Sequence, residues 1–369
     1  MNLMVNRFAS HLVGLDNPNP FPGMVAFEQR TGRQIDLRLG GNECLDAPLT
    51  ALRERYGNDF CEHARLYGDP QAFALRQSLA TAHGFNPAHL CLDSGADAVL
   101  ALCIRALCQP GDRVVCSAGT YPTFAYFAKA AGCEVIETPY HRTDTSLAVS
   151  IPGLLLDAVR CGAKVVYLAN PDNPTGSWWS SEAIQELASS LPDDCTLLLD
   201  EAYLDFCPDL QMNSERVLEG CIRVRSLSKA YALAGLRLGY ALAGPATIAM
   251  LDKVRIHYAV GGMVQHAARV VLEDRRHAEA IRENNALLRD AFSQRLRRMG
   301  YRVLPSGTNF ISLLLPSAAA AHHLQEHLLD HRIAVHRPMH PAFANLIRVT
   351  VCEAALEERV LELFERAIE

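Results

Sequence analysis

Lys164-Val165-Val166-Tyr167-Leu168, the turn Asn170-Pro171-Asp172-Asn173-Pro174-Thr175-Gly176, the amphipathic stretch Ser181–Ser190 and the apolar run Thr196-Leu197-Leu198-Leu199 follow one another in that order. Two short apolar runs on either side of a helix-length amphipathic stretch read as strand, helix and strand, the unit that joins parallel neighbours in a sheet. The same alternation extends in both directions. Upstream, Leu90–Leu92 precedes a helix from Ala96 to Leu107, and Arg113–Cys116 precedes a helix around Thr123–Ala131. Downstream come Ile222–Val224 and Leu238–Leu242. An α/β layered domain with a mostly parallel sheet is therefore expected over residues 48–250. Before it, residues 1–47 are rich in Pro and Asn and read as an arm. After it, residues 251–369 read as a smaller α+β domain: a long polar helix over Glu273–Met299, strands at Arg302–Leu304, Phe310–Leu314, Ile333–His336 and Leu346–Val351, and helices at Ala318–Asp330 and from Ala354 onward.

Composition narrows the function. The 369 residues are 49% hydrophobic and 21% charged, an ordinary globular balance that excludes disorder over most of the chain. The net charge of −6 is spread without like-charge blocks, which argues against a nucleic-acid or anionic-membrane surface. No apolar run approaches a membrane span. Arg7, His11 and Asp16 fall where a signal peptide needs an apolar core, so a soluble cytoplasmic protein is expected. The twelve cysteines are scattered, with no Cys-x-x-Cys and no zinc spacing, and read as small hydrophobes in a reducing compartment. His322, His323 and His327 read as a solvated helix face, and no metal is expected.

The chemistry lies where strands end, because open α/β sheets bind ligands beyond the carboxyl ends of their strands. Leu90–Leu92 ends in Asp93-Ser94-Gly95-Ala96-Asp97, and Thr196–Leu199 ends in Asp200-Glu201-Ala202-Tyr203. Ile222–Val224 leads to Ser226-Leu227-Ser228-Lys229, with Arg237 eight residues beyond the lysine. Singly, each reads as a turn, a cap or a surface group. Together they describe one site. Ser226, Ser228 and Arg237 suit a phosphate, helped by the N–H groups of a helix starting at Ala96-Asp97. Lys229 offers an amine for a Schiff base. Asp200 ends a buried strand and needs a cationic partner such as a protonated pyridine nitrogen. Asn173 and Tyr203 can hydrogen-bond a phenolic oxygen. These four demands are those of pyridoxal 5′-phosphate. A nicotinamide site is the competitor, but no Gly-x-Gly-x-x-Gly follows any candidate strand.

On these motifs, and above all on Ser226-Leu227-Ser228-Lys229-Ala230-Tyr231-Ala232-Leu233-Ala234-Gly235-Leu236-Arg237-Leu238-Gly239-Tyr240, the chain resembles the pyridoxal-phosphate aminotransferases of fold type I, class I/II. Phe21-Pro22-Gly23, Leu39-Gly40-Gly41-Asn42-Glu43, Tyr67-Gly68-Asp69, Gly95-Ala96-Asp97, Thr308-Asn309-Phe310 and Leu346-Ile347-Arg348-Val349-Thr350 are similar to the histidinol-phosphate aminotransferase subfamily. The resemblance implies a large domain with a mostly parallel seven-stranded sheet between helices, and a ping-pong transfer between an amino donor and a 2-oxo acid. It implies that Lys229 carries the cofactor and moves the substrate proton, and that Asp200 holds the ring nitrogen protonated. Tyr203 and Asn173 then contact the phenolic oxygen, Tyr121 stacks on the ring, and Ala96, Asp97, Ser226, Ser228 and Arg237 hold the phosphate. Tyr67 reaches the site of a second subunit, which implies a homodimer with shared sites. Arg348 holds the substrate anion, with Asn42 and either Arg337 or His336 on the same side.

The chain departs from the family pattern at Cys44-Leu45, Ala98, Ala118-Gly119 and Asp172. The first and third of these fall near the substrate side, so a substrate other than histidinol phosphate is also compatible. A decarboxylase of the same fold, similar to the threonine-phosphate decarboxylases, is the nearest chemical alternative. A non-catalytic effector-binding module is the alternative from another class, and the complete catalytic set argues against it.

Overall fold

The computed structural model describes residues 28, 30–46, 50–56, 68–143, 146–211 and 216–368. Strand β1 (Leu37–Arg38) is short. The main sheet then gathers β2 (Leu90–Asp93), β3 (Arg113–Ser117), β4 (Glu134–Thr138), β5 (Val165–Ala169), β6 (Thr196–Asp200), β7 (Cys221–Ser226) and β8 (Gly239–Leu242). Their order is β2-β8-β7-β6-β5-β3-β4, with β8 antiparallel to both neighbours and every other pairing parallel. This is the mostly parallel seven-stranded sheet that was expected.

The strand sequences explain the layering. β5 is buried at all five positions and β6 at four of its five, as parallel strands covered on both faces must be. Side chains alternate across the sheet. Val165, Tyr167 and Ala169 pack on one face with Phe124, Leu198 and Val224, while Val166 and Leu168 pack on the other with Leu187, Leu197 and Leu199. The covering helices are capped locally: Ser180 Oγ accepts from the Ala183 N–H at 3.3 Å and starts Ser181–Ser190, whose Ile184 and Leu187 face the sheet. The chain runs from β3 out to β4, then returns to the other side of β3 as β5. That reversal opens a crevice at the carboxyl ends of β3 and β5, where Tyr121 and Asn173 follow.

Beyond residue 250, β9 (Phe310–Leu314) and β11 (Leu346–Thr350) form an antiparallel pair in which Ser312 faces Arg348. β1 pairs in parallel with β10 (Ile333–Ala334). The next residue, Leu39, continues between β10 and β11: its N–H donates to Ala334 and its carbonyl accepts from Thr350. Leu39, Phe292, Ile311, Leu324, Ile347 and Phe364 share one core. Residues 40–42 are thereby carried to the mouth of the crevice.

Several expected boundaries differ. Arg302–Leu304 forms no strand and only bridges once, at Val303 opposite Leu313. The run Ile333–His336 is a two-residue strand followed by a single bridge from His336 to Arg348. The last helix is a short 3-10 turn over Glu353–Leu356 followed by Glu358–Arg366. β4, with exposed Glu134 and Glu137, sits at the sheet edge and lacks the apolar run that marked its neighbours. Among the described residues, cysteines are free thiols and no helix is long and apolar enough to cross a membrane.

Candidate active site

β7 ends at Ser226 and turns into Ser228 and Lys229, while β8 returns beside it from Arg237. Gly239 pairs with both Ser226 and Asp93. A side chain at Gly239 would collide with the backbone of Gly95 and Ala96, so the start of helix Ala96–Leu107 lies directly against this strand. Gly95 has φ +90°, and a Cβ there would lie 2.6 Å from Arg237 Nη2. These two glycines let Ser226, Ser228, Arg237 and the start of the helix converge on one cavity. Arg237, itself left-handed at φ 52°, donates to Ser228 Oγ at 3.4 Å and Asp97 Oδ2 at 3.4 Å. The other Asp97 oxygen accepts from Tyr121 at 2.8 Å. The side chain of Asp97 is thus already engaged.

Asp200 closes β6 and is buried. Oδ2 accepts from the Tyr167 hydroxyl at 2.8 Å and Oδ1 from the Ala202 N–H at 3.0 Å. Burial raises its carboxyl to about 6, against the lowering pull of these two donors. Glu201 is buried too, but among Arg223 and Arg225, which donate to it at 2.6–2.9 Å. Lys229 directs its amine at the Asn42 carbonyl at 3.1 Å, 5.6 Å from the centre of the Tyr203 ring.

Arg348 forms the opposite wall. It is buried, donates to Asn173 Oδ1 and to the Gly40 carbonyl, and stands 5.2 Å from the Phe310 ring centre. Its Nε is buried without a partner among the described residues. Asn42, left-handed at φ 53°, donates from Nδ2 to the Tyr203 hydroxyl at 2.8 Å and accepts from Thr350 at 3.1 Å. Arg337 sends its Nε to Gln325 at 3.0 Å, while His336 pairs backbone to backbone with Arg348. Burial, then the neighbouring Arg348, push His336 down to about 3, so its ring is neutral. Both residues line a cavity of about 730 Å³ that also reaches Lys229, Tyr203 and Arg348.

Ala96, Asp97, Tyr121, Asn173, Asp200, Tyr203, Ser226, Ser228, Lys229 and Arg237 all line a single cavity of about 300 Å³. Tyr67 lies outside the described residues. Sequence reasoning missed three contributors. In the sequence Tyr167 stands only as part of a strand, although it is the one polar side chain in Val165–Ala169. Thr350 and Asn309, whose Nδ2 donates to the Asn42 carbonyl at 3.1 Å, stand in Leu346–Thr350 and Thr308-Asn309-Phe310, motifs that by themselves give them no role. The departures also find places. The Cys44 thiol donates to the Lys229 carbonyl, and Gly119 leaves room for His340, whose ring would meet a Cβ there at 2.6 Å. Asp172 is buried and accepts from Thr120, Tyr140 and Thr175.

Known proteins are similar to this chain in sequence and fold. The histidinol-phosphate aminotransferase of Geotalea uraniireducens is 33% identical over 88% of the chain and 91% of its own length. That of Granulibacter bethesdensis is 30% identical over 91% of the chain and 92% of its own. The crystal structure of histidinol-phosphate aminotransferase from Sinorhizobium meliloti in complex with pyridoxal-5′-phosphate superposes with a TM-score of 0.86. It is 33% identical and covers 98% of this chain and 96% of that one. The model of the aminotransferase class I and II family matches residues 34–368. The chain belongs to the aminotransferase class I and II family.

Proposed function

We propose that this aminotransferase uses pyridoxal 5′-phosphate to move an amino group between an amino acid, or an amino-alcohol phosphate such as histidinol phosphate, and a 2-oxo acid. The observation that carries the reading is one cavity holding an anion cradle, a lysine amine and a buried carboxylate that has no cationic partner among the described residues. The donor set fits the cofactor. A concavity ringed by Ser226, Ser228, Arg237 and helix N–H groups suits its phosphate. Asp200, raised by burial, is relieved by a cationic ring nitrogen.

When bound, the cofactor supplies an aldehyde that takes up the amine and a protonated ring that accepts the electron pair released at the substrate Cα. The chain does the rest. Lys229 carries the cofactor and moves the proton at the substrate Cα. Asp200 keeps the ring nitrogen protonated. Tyr203, steadied by Asn42, and Asn173, steadied by Arg348, are the polar groups for the phenolic oxygen. Tyr121, tied to Asp97, is the stacking ring. Arg348 binds the substrate carboxylate or equivalent anion through its planar fork. A homodimer in which Tyr67 reaches the neighbouring site and a cytoplasmic setting complete the reading.

The test is a donor and acceptor screen on purified protein, with histidinol phosphate and 2-oxoglutarate as the first pair. Transfer in both half-reactions is expected. Release of carbon dioxide without transfer would overturn the reading in favour of a decarboxylase. Failure to bind the cofactor would remove it altogether.

A further inference from the structure

Tyr167 has no part in the roles assigned above, yet its hydroxyl meets the carboxylate on which they depend. It lies on β5 opposite Leu198 of β6, and Ala169 lies opposite Asp200. Residues two apart on a strand share a face, so Tyr167 and Asp200 are diagonal neighbours on one side of the sheet. The ring is fully buried and stacked on Phe124, with centroids 4.4 Å apart and planes at 11°. The phenol therefore cannot swing away, and it donates to Asp200 Oδ2 at 2.8 Å.

A carboxylate oxygen accepts two hydrogen bonds. Oδ1, which takes the Ala202 N–H, and Oδ2, which takes the Tyr167 hydroxyl, each keep one position for a further donor, and Asp200 lines the cavity. We propose that Tyr167 is a positioning residue for the transamination: by donating to Oδ2 it fixes the rotation of the Asp200 carboxylate and holds it ionised, so that the carboxylate meets the cavity as an acceptor. This inference rests on the cofactor reading and specifies where one proton resides. With the hydroxyl in place, the proton shared between ring nitrogen and Asp200 stays on nitrogen. Without it, the carboxylate is the better base and draws that proton to itself. The ring then accepts electrons less readily.

The surroundings make this donor consequential. Burial and the nearby Asp97 and Glu201 all favour the protonated carboxyl, while Tyr167 and the Ala202 N–H are the groups opposing them. Tyr121 and Lys229 line the same cavity. Hydrogen bonds to an ionised group are stronger than neutral ones and cost the most when a buried partner is left unmet.

The experiment uses holoenzyme reconstituted with pyridoxal 5′-phosphate carrying nitrogen-15 in its ring. Tyr167→Phe keeps the stacked ring and deletes only the hydroxyl. Its ring-nitrogen resonance is expected to move toward the neutral-pyridine position. The kcat is expected to fall on the order of tenfold to a hundredfold, with the donor KM changed less than about threefold. Tyr167→3-fluorotyrosine keeps the packing with a more acidic donor, so its resonance should hold or move toward the protonated position while kcat is retained. An unmoved resonance in Tyr167→Phe would overturn the proposal, even if kcat and melting temperature both drop, because the role would then be packing alone. Movement toward neutral pyridine in the fluorinated protein would overturn it independently, should the Phe variant not fold. A wild-type protein that takes up no labelled cofactor would overturn the cofactor reading itself, and this inference with it.

Discussion

The floor of the cavity and its substrate wall are assembled in different ways. On the floor, Asp200 and Ser226 are the last residues of strands in the main sheet, and Ser228 and Lys229 follow within three positions. Asp200 and Ser226 are aimed by the pleat of their own strands and by a ladder to an immediate neighbour, and Ser228 and Lys229 by the turn that follows. On the wall, Asn42 is held by Thr350, 308 positions away, and its carbonyl takes the Asn309 amide, 267 positions away. Arg348 reaches across to Asn173 and Gly40. A floor built locally tolerates change elsewhere in the fold. A wall built from distant segments depends on how β1, β10 and β11 pack. Floor substitutions should therefore damage the chemistry, and wall substitutions should mostly damage binding.

The largest expected effect is at Lys229. Lys229→Ala should lower turnover by more than about a thousandfold, since both the covalent attachment and the proton carrier are lost. Borohydride treatment of the wild type should fix the cofactor to the peptide containing Lys229. Fixation to another lysine would place the cofactor-bearing amine elsewhere in the fold.

Next comes Asp200. Asp200→Ala should cost on the order of a hundredfold to a thousandfold in kcat while cofactor remains bound, because stabilisation of developing charge is lost. The carboxyl also carries a pH signature in cofactor-free protein. Its folded value, raised by burial to about 6, lies above the ~3.9 of an unfolded chain. The folded state thus holds the proton more tightly. The stabilisation is complete below about pH 3.9 and is lost as pH climbs through about 6. Asp200→Asn should flatten that stretch of the urea-midpoint profile. Equal slopes for the two proteins between pH 4 and 6 would mean that Asp200 is not desolvated.

The wall should respond more mildly. Arg348→Lys keeps the charge and loses the planar fork. An increase of about tenfold to a hundredfold in KM for donor and acceptor is expected, with the cofactor absorption spectrum unchanged. If neither KM rises, the substrate anion is held elsewhere. The smallest effect separates His336 from Arg337. Arg337 is committed to Gln325, whereas neutral His336 adjoins Arg348, so His336→Gln should raise KM about threefold to tenfold and Arg337→Gln less than about threefold, in line with single hydrogen bonds. The reverse order would show that the Gln325 bond breaks when substrate binds.

The sequence alone determined six of the seven strands of the main sheet, their alternation with helices and the set of polar groups at the strand ends. Apolar runs such as Thr196–Leu199, turn residues and cap residues act over a few positions, and that is the range over which a sequence can be read directly. Asp200, Ser226, Ser228, Lys229 and Arg237 were legible for that reason. Tertiary structure alone decided the rest. That β4 forms the edge, that Leu39 threads between β10 and β11 and carries residues 40–42 to the crevice, and that Asn42, Asn309 and Thr350 meet are consequences of pairing between segments far apart in the chain. Tyr167 shows the boundary most clearly. As a residue of Val165–Ala169 it is an ordinary strand aromatic. It becomes a partner of Asp200 only because β5 and β6 pair in the register that sets Ala169 against Asp200, and because Phe124 leaves its ring one orientation. A register slip of one residue would turn that hydroxyl to the other face of the sheet.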